Sequence, residues 1–163
     1  YCLKRSQSKK TPQILPILCG HMTSFLTSDK SPKDDSAFNY LISTLHSEMK
    51  RKKTLLIAAG DLAHIGPAFG DRKPLSTYDR IALKNSDSKT LSAISRCDSN
   101  EFFGAIKINN DQNRVCGLTP IYLVIRLLEC SARGQVMGYE QCPADSQGDS
   151  VVSVAGVLWH NFS

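Results

Sequence analysis

The sequence predicts an α/β domain built on a central, mostly parallel sheet flanked by helices. Short apolar runs bounded by turn residues alternate with segments whose apolar residues recur at helical spacing. The 163 residues suffice for one domain with a sizeable core. A composition of 41% hydrophobic and 21% charged residues belongs to a folded chain rather than a disordered one.

The elements follow in order. "PQILPILCG" (residues 12–20) reads as a buried strand, with Pro16 moving it toward a sheet edge. "TSDKSPKDD" is loop chemistry. Phe38, Leu41, Ile42, Leu45 and Met49 then repeat at helical spacing, with Asp34 or Asp35 as the cap. "TLLIAA" (54–59) reads as a second buried strand. Between residues 76 and 97 a weaker helical pattern runs through Tyr78, Ile81, Ala82, Leu91 and Ile94. "DSNEFFGAIK" continues as a short helix that Asp98 caps. "LTPIYLVIRLLECSA" is a helix with Thr119 as cap and Pro120 at the first helical position. "GQVMGYEQC" and "VVSVAGVLWH" close the chain as strands open to antiparallel pairing across the polar loop "PADSQGDS". Residues 1–163 form a single domain without internal repeats.

The formal net charge of +5 is modest. Much of it sits in Lys4-Arg5 with Lys9-Lys10, and in Lys50, Arg51, Lys52 and Lys53 at the end of the first helix, where cations complement the helix dipole. No aromatic residues interleave with these charges, so a nucleic-acid platform is not expected. The six cysteines (Cys2, Cys19, Cys97, Cys116, Cys130 and Cys142) contain no CxxC pair. With no signal peptide and no membrane-length apolar run, a reducing, cytoplasmic setting without a disulfide framework is expected. Cys19 and Cys130 read as small buried hydrophobes. The chain opens without methionine, and "YCLKRS" reads as the tail of a helix, so the sequence resembles a fragment that starts mid-protein.

Two segments carry chemistry. "LLIAAGDLAHIGPAFGD" (55–71) leaves a strand through a glycine-rich loop bearing Asp61 and His64. Ligands of open α/β sheets bind beyond the carboxyl ends of the strands. There, Asp61 and His64 can orient a proton, hold a metal, or do both through a carboxylate–imidazole bond. Gly60, Gly66 and Gly70 permit conformations and close approaches that a side chain forbids. The plainer alternative is that Asp61 caps a turn and His64 is a satisfied loop histidine. The second segment, "RVCGLTPIYLVIRLL", puts Cys116 about one turn before a helix, where free amides and the dipole favour the thiolate, the nucleophilic and metal-binding form. The alternative there is a small residue in a tight loop. Cys116 with Asp61 and His64 would suit iron, copper or zinc. A closed site needs further ligands, and His21, His46 and His160 are poor candidates. The sequence has no Walker loop, no GxGxxG and no GxSxG.

Four segments in this order, "ILPILCG", "LLIAAGDLAHIGPAFGD", "VCGLTPIYLVIRLL" and "GYEQC...SVVSVAGVLW", resemble the Memo-like family, in particular its branch named AmmeMemoRadiSam system protein B. The resemblance runs from about residue 12 to the end. It implies a fold like that of class III extradiol dioxygenases, the non-haem iron enzymes that open catechol rings. By that likeness Asp61 and His64 match the family's pocket aspartate and histidine, and Cys116 matches its pocket cysteine. The resemblance also implies that this chain corresponds to the C-terminal half of the family's domain, with two further pocket histidines belonging to the other half.

Three functions follow from the resemblance. As a metal-dependent or redox enzyme using iron or copper, the protein would use His64 and Asp61 as catalytic residues and Cys116 and His64 as metal ligands. Its substrate would be an unspecified small molecule or peptide, and its partners radical-SAM system proteins, with no nucleic acid and no membrane. As an adaptor, it would use the same pocket for an anionic or phosphorylated peptide, with Arg72, Lys73 and Arg114 as basic walls. As an inert piece, it would do neither.

Overall fold

The computed structural model describes residues 12–128 and 132–161. After a single turn, α1 (Thr23–Leu26), the longer helices begin where capping side chains place them. The Asp35 carboxylate accepts from the Phe38 amide at 2.8 Å and starts α2 (Ser36–Arg51), so Asp35 rather than Asp34 is the cap. Ser76 and Asp79 form a reciprocal capping box at α3 (Thr77–Ser95). Asp98 accepts from the Glu101 amide at 2.9 Å and starts α4 (Ser99–Lys107). The next helix, α5 (Leu118–Leu128), begins one residue before Thr119. Thr119 is therefore inside the helix, and its hydroxyl donates to the Gly20 carbonyl at 2.7 Å. Pro120 still falls in the first turn, where an amide has no intrahelical acceptor.

The sheet corrects the expectation of a mostly parallel arrangement. Among the described residues it has three strands, β1 (His64–Ile65), β2 (Ala132–Pro143) and β3 (Val151–Asn161), in the order β1-β3-β2, with both pairings antiparallel. The hairpin β2–β3 is a local pairing closed by the turn at 144–150, as its alternating sequence allows. The expected strands at 12–20 and 54–59 are not strands. No backbone–backbone hydrogen bond ties either to another described residue. One side of each is seated: Cys19 and Leu56 pack against the cluster of Ile42, Leu123 and Leu127 on α2 and α5. The other side faces solvent, with Leu18 100%, Leu55 81% and Ile57 77% exposed. An apolar run records burial preference, whereas a strand also requires a ladder partner, and periodicity does not report one.

Helices α3 to α5 close on the sheet around Ile94, Phe102, Tyr122 and Ile125, each 2% exposed or less. The Trp159 indole N–H donates to the Ile94 carbonyl at 3.1 Å and pins β3 to the end of α3. No described helix is long and apolar enough to cross a membrane. Cys19, Cys116 and Cys142 are free thiols, while Cys2 and Cys130 lie outside the described residues.

A carboxyl group is buried between α3 and the hairpin. Asp87, 2% exposed, accepts from the Tyr139 hydroxyl at 2.9 Å, and the Gln141 amide donates to that hydroxyl at 3.0 Å. Burial raises the Asp87 carboxyl above its ordinary value, while bonds from Ser153 and Tyr139 pull it down. Burial likewise pushes Tyr139 up to about 12. Groups raised by folding contribute fully below their unfolded values, and that contribution is lost as pH rises through the folded ones. The Asp87 contribution therefore fades from about pH 4 upward. Asp87→Asn, which keeps an acceptor but no charge, is expected to match the wild type in acid and to gain on it as pH rises. Urea midpoints across pH measure this, and a parallel offset at every pH would contradict it. Tyr139→Phe takes a partner from the buried carboxyl and is expected to cost about 1–3 kcal/mol in the same assay.

Candidate metal centre

The segment that carries Asp61 and His64 is knitted to the start of β3. The Leu62 amide donates to Ser153 O at 2.9 Å, the Ser153 amide to Ala63 O at 2.9 Å, and the Ala63 amide to Ser153 Oγ at 2.9 Å. These bonds bury Leu62 and Ala63 and turn Asp61 and His64 outward. Beyond β1 the chain reverses at Gly66, whose φ of +113° suits glycine, and the Ala68 amide donates to Ser150 Oγ at 2.9 Å.

Cys116 arrives from a different part of the chain. A β-carbon on Gly60 would lie 2.5 Å from Gly117 Cα, and one on Gly117 would lie 2.6 Å from Asp61 O. The two backbones therefore cross in direct contact, which only paired glycines allow. At the crossing the Gly117 amide donates to Asp61 O at 2.8 Å, and the Asp61 amide donates to Cys116 Sγ at 3.2 Å.

The result brings together the three residues that the sequence singled out. One ligand atom from each of Asp61, His64 and Cys116 lies within 4.8 Å of the others. His64 Nε2 stands 3.8 Å from Asp61 Oδ2. His21, His46 and His160 take no part in this cluster. The site is an open face rather than a closed pocket: the Asp61 side chain is 49% exposed, His64 19%, and Cys116 is exposed as well. The His64 ring is the best held of the three. It packs edge-to-face on Phe69 with centroids 5.1 Å apart, and its Nδ1 faces the carbonyls of Arg114 at 3.1 Å and Leu62 at 3.3 Å. Carboxylate, imidazole and thiol at this spacing fit a transition metal with borderline or soft preferences.

One contact beside the cluster was not foreseen from the sequence. Arg114 was expected on a basic wall, yet its guanidinium forks onto the Asp71 carboxylate and donates to the His64 carbonyl at 2.9 Å. Asp71 also accepts from the Gly66 amide at 2.8 Å. The Arg114 bonds and the Gly66 amide hold the Asp71 carboxyl below its ordinary value, and Asp71 raises Arg114 in turn. Opposite charges inside the two segments singled out for chemistry were the available signal. Arg72 and Lys73 remain exposed and line a cavity of about 710 Å³ with Leu75, Ser86 and Asn113, beside the cluster but not containing it.

No curated protein matches the chain. A family model described as Memo-like protein matches residues 3–158, nearly the full length, and the chain belongs to the Memo-like family.

Proposed function

We propose that Asp61, His64 and Cys116 are the protein ligands and acid–base groups of an iron or copper site in a non-haem, dioxygenase-like oxidoreductase. The reading places the chain in the AmmeMemoRadiSam system protein B branch, with an extradiol dioxygenase-like architecture. One observation carries it: three donor atoms from segments 55 residues apart converge within 4.8 Å. Cys116 contributes a thiolate and His64 its Nε2, while Asp61 accepts from or orients what binds beside them. A bound metal would supply Lewis acidity and one-electron chemistry. The open face leaves room for a small-molecule or peptide substrate next to these groups, and a reducing cytoplasm would keep Cys116 available. Radical-SAM system proteins are the partners this branch implies.

Metal content of anaerobically purified protein tests the reading. Iron or copper bound to the wild type is the expected result. Cys116→Ser and His64→Ala are each expected to lower affinity by about 100-fold or more, since even outer-shell changes cost 10–100-fold. A wild type that binds neither metal on titration, with both variants folded and indistinguishable from it, would sink the proposal.

A second reading moves the adaptor's peptide from the Asp61–His64–Cys116 face to the neighbouring 710 Å³ cavity, which the exposed Arg72 and Lys73 line together with Asp71 and Asp79. The two cations suit an anionic or phosphorylated peptide, bound without catalysis. In that case Cys116→Ser leaves phosphopeptide binding unchanged, while Arg72→Ala with Lys73→Ala abolishes it.

A further inference from the structure

We infer that Asp71 and Arg114 are positioning residues for His64, fixing the imidazole as its Nδ1–H tautomer so that Nε2 faces Asp61 with a free lone pair. The inference deepens the metal-site reading above and takes its functional meaning from it.

The contacts around His64 form a closed set. Its backbone amide donates to the Asn113 carbonyl at 2.7 Å, and its carbonyl accepts from the Arg114 guanidinium at 2.9 Å. Its ring Nδ1 meets the Arg114 carbonyl at 3.1 Å and the Leu62 carbonyl at 3.3 Å. Carbonyl oxygens only accept, so the ring nitrogen facing two of them carries the proton. In a neutral imidazole the other nitrogen is then unprotonated, and it is the one 3.8 Å from Asp61 Oδ2.

The Arg114 carbonyl stands there because the Arg114 backbone is held in an unusual place. Its φ is +52°, in a segment where Asn110 and Asp111 also have positive φ, at +49° and +54°. For a residue with a β-carbon this left-handed region is unfavourable. The forked bond to Asp71 offsets that cost, and Asp71 is itself held by the Gly66 amide at 2.8 Å. The arrangement reads as a chain: Gly66 holds Asp71, Asp71 holds the guanidinium, and the Arg114 carbonyl holds the ring.

The test uses ¹⁵N-histidine-labelled protein at about pH 8.5, where imidazoles are neutral. The His64 signals are identified by their loss in His64→Gln. The wild type is expected to show a protonated Nδ1 and a bare Nε2. In Asp71→Asn and Arg114→Gly, the tautomer is expected to drift toward Nε2–H and Co²⁺ affinity to fall about 10–100-fold. Glycine is chosen at residue 114 because it tolerates the positive φ, so the fold survives the loss of the fork. A wild-type His64 in the Nε2–H form overturns the inference, and so do folded variants with an unchanged tautomer. Unfolding of both variants would make the pair a structural staple and overturn the positioning role. A tautomer that responds as expected in a protein that binds no Co²⁺ would sink the metal reading alone.

Discussion

Gly60→Ala and Gly117→Ala are each expected to destabilise the protein by about 1–3 kcal/mol and to pull Cys116 away from Asp61. The new methyl has nowhere to go. At residue 60 it meets the Gly117 Cα at 2.5 Å, and at residue 117 it meets the Asp61 carbonyl at 2.6 Å and the end of Ile121 at 2.8 Å. The Ile121 methyl can swing aside, but backbone atoms cannot, so the two segments must separate. Separation breaks the 2.8 Å bond from the Gly117 amide to Asp61 O and the 3.2 Å bond from the Asp61 amide to Cys116 Sγ. Stability and site geometry should therefore fall together. Gly104→Ala is the control: on the exposed face of α4 its β-carbon meets nothing within 4 Å. Removing glycine from a helix interior there should stabilise by about 0.5–1 kcal/mol. Urea denaturation with a Co²⁺ titration of each variant measures both effects. Equal stability of the residue 60, 117 and 104 variants would refute the crossing.

Phe102→Ala should cost more, about 3–5 kcal/mol, by leaving a cavity in the main core. Phe102 is 0% exposed and belongs to the cluster that contains Leu118, Ile121, Tyr122 and Ile125 of α5. For a chain of this size the melting temperature should drop by roughly 6–20 °C. The consequence reaches the site, because the loop carrying Arg114 and Cys116 runs from α4 to α5 and both of its anchors lean on this cluster. Calorimetry gives the stability, and the His64 tautomer signal reports whether the loop has loosened. A melting point within about 2 °C of the wild type would mean that the core refills the cavity without loss.

The sequence by itself determined the four longer helices, the two segments of the closing hairpin and the three residues that converge in the cluster. Asp35 and Asp98 each act on an amide three residues away, and the apolar repeats of α2 and α5 are read within one helix. Such interactions depend on neighbours along the chain, so spacing reveals them. Asp61 and His64, and Cys116 beside Gly117, were legible because polar groups and glycines interrupt apolar runs where plain packing would not use them. The family, too, was legible in those motifs.

Only the tertiary structure decided which elements pair and what the charges do. The apolar segments at 12–20 and 54–59 have the composition of buried strands, yet among the described residues neither has a ladder, and the sheet is antiparallel. The Gly60–Gly117 crossing and the Asp71–Arg114 fork join residues more than forty positions apart. Their existence depends on how loops are held in space, and no periodicity along a single segment encodes a distance between two of them.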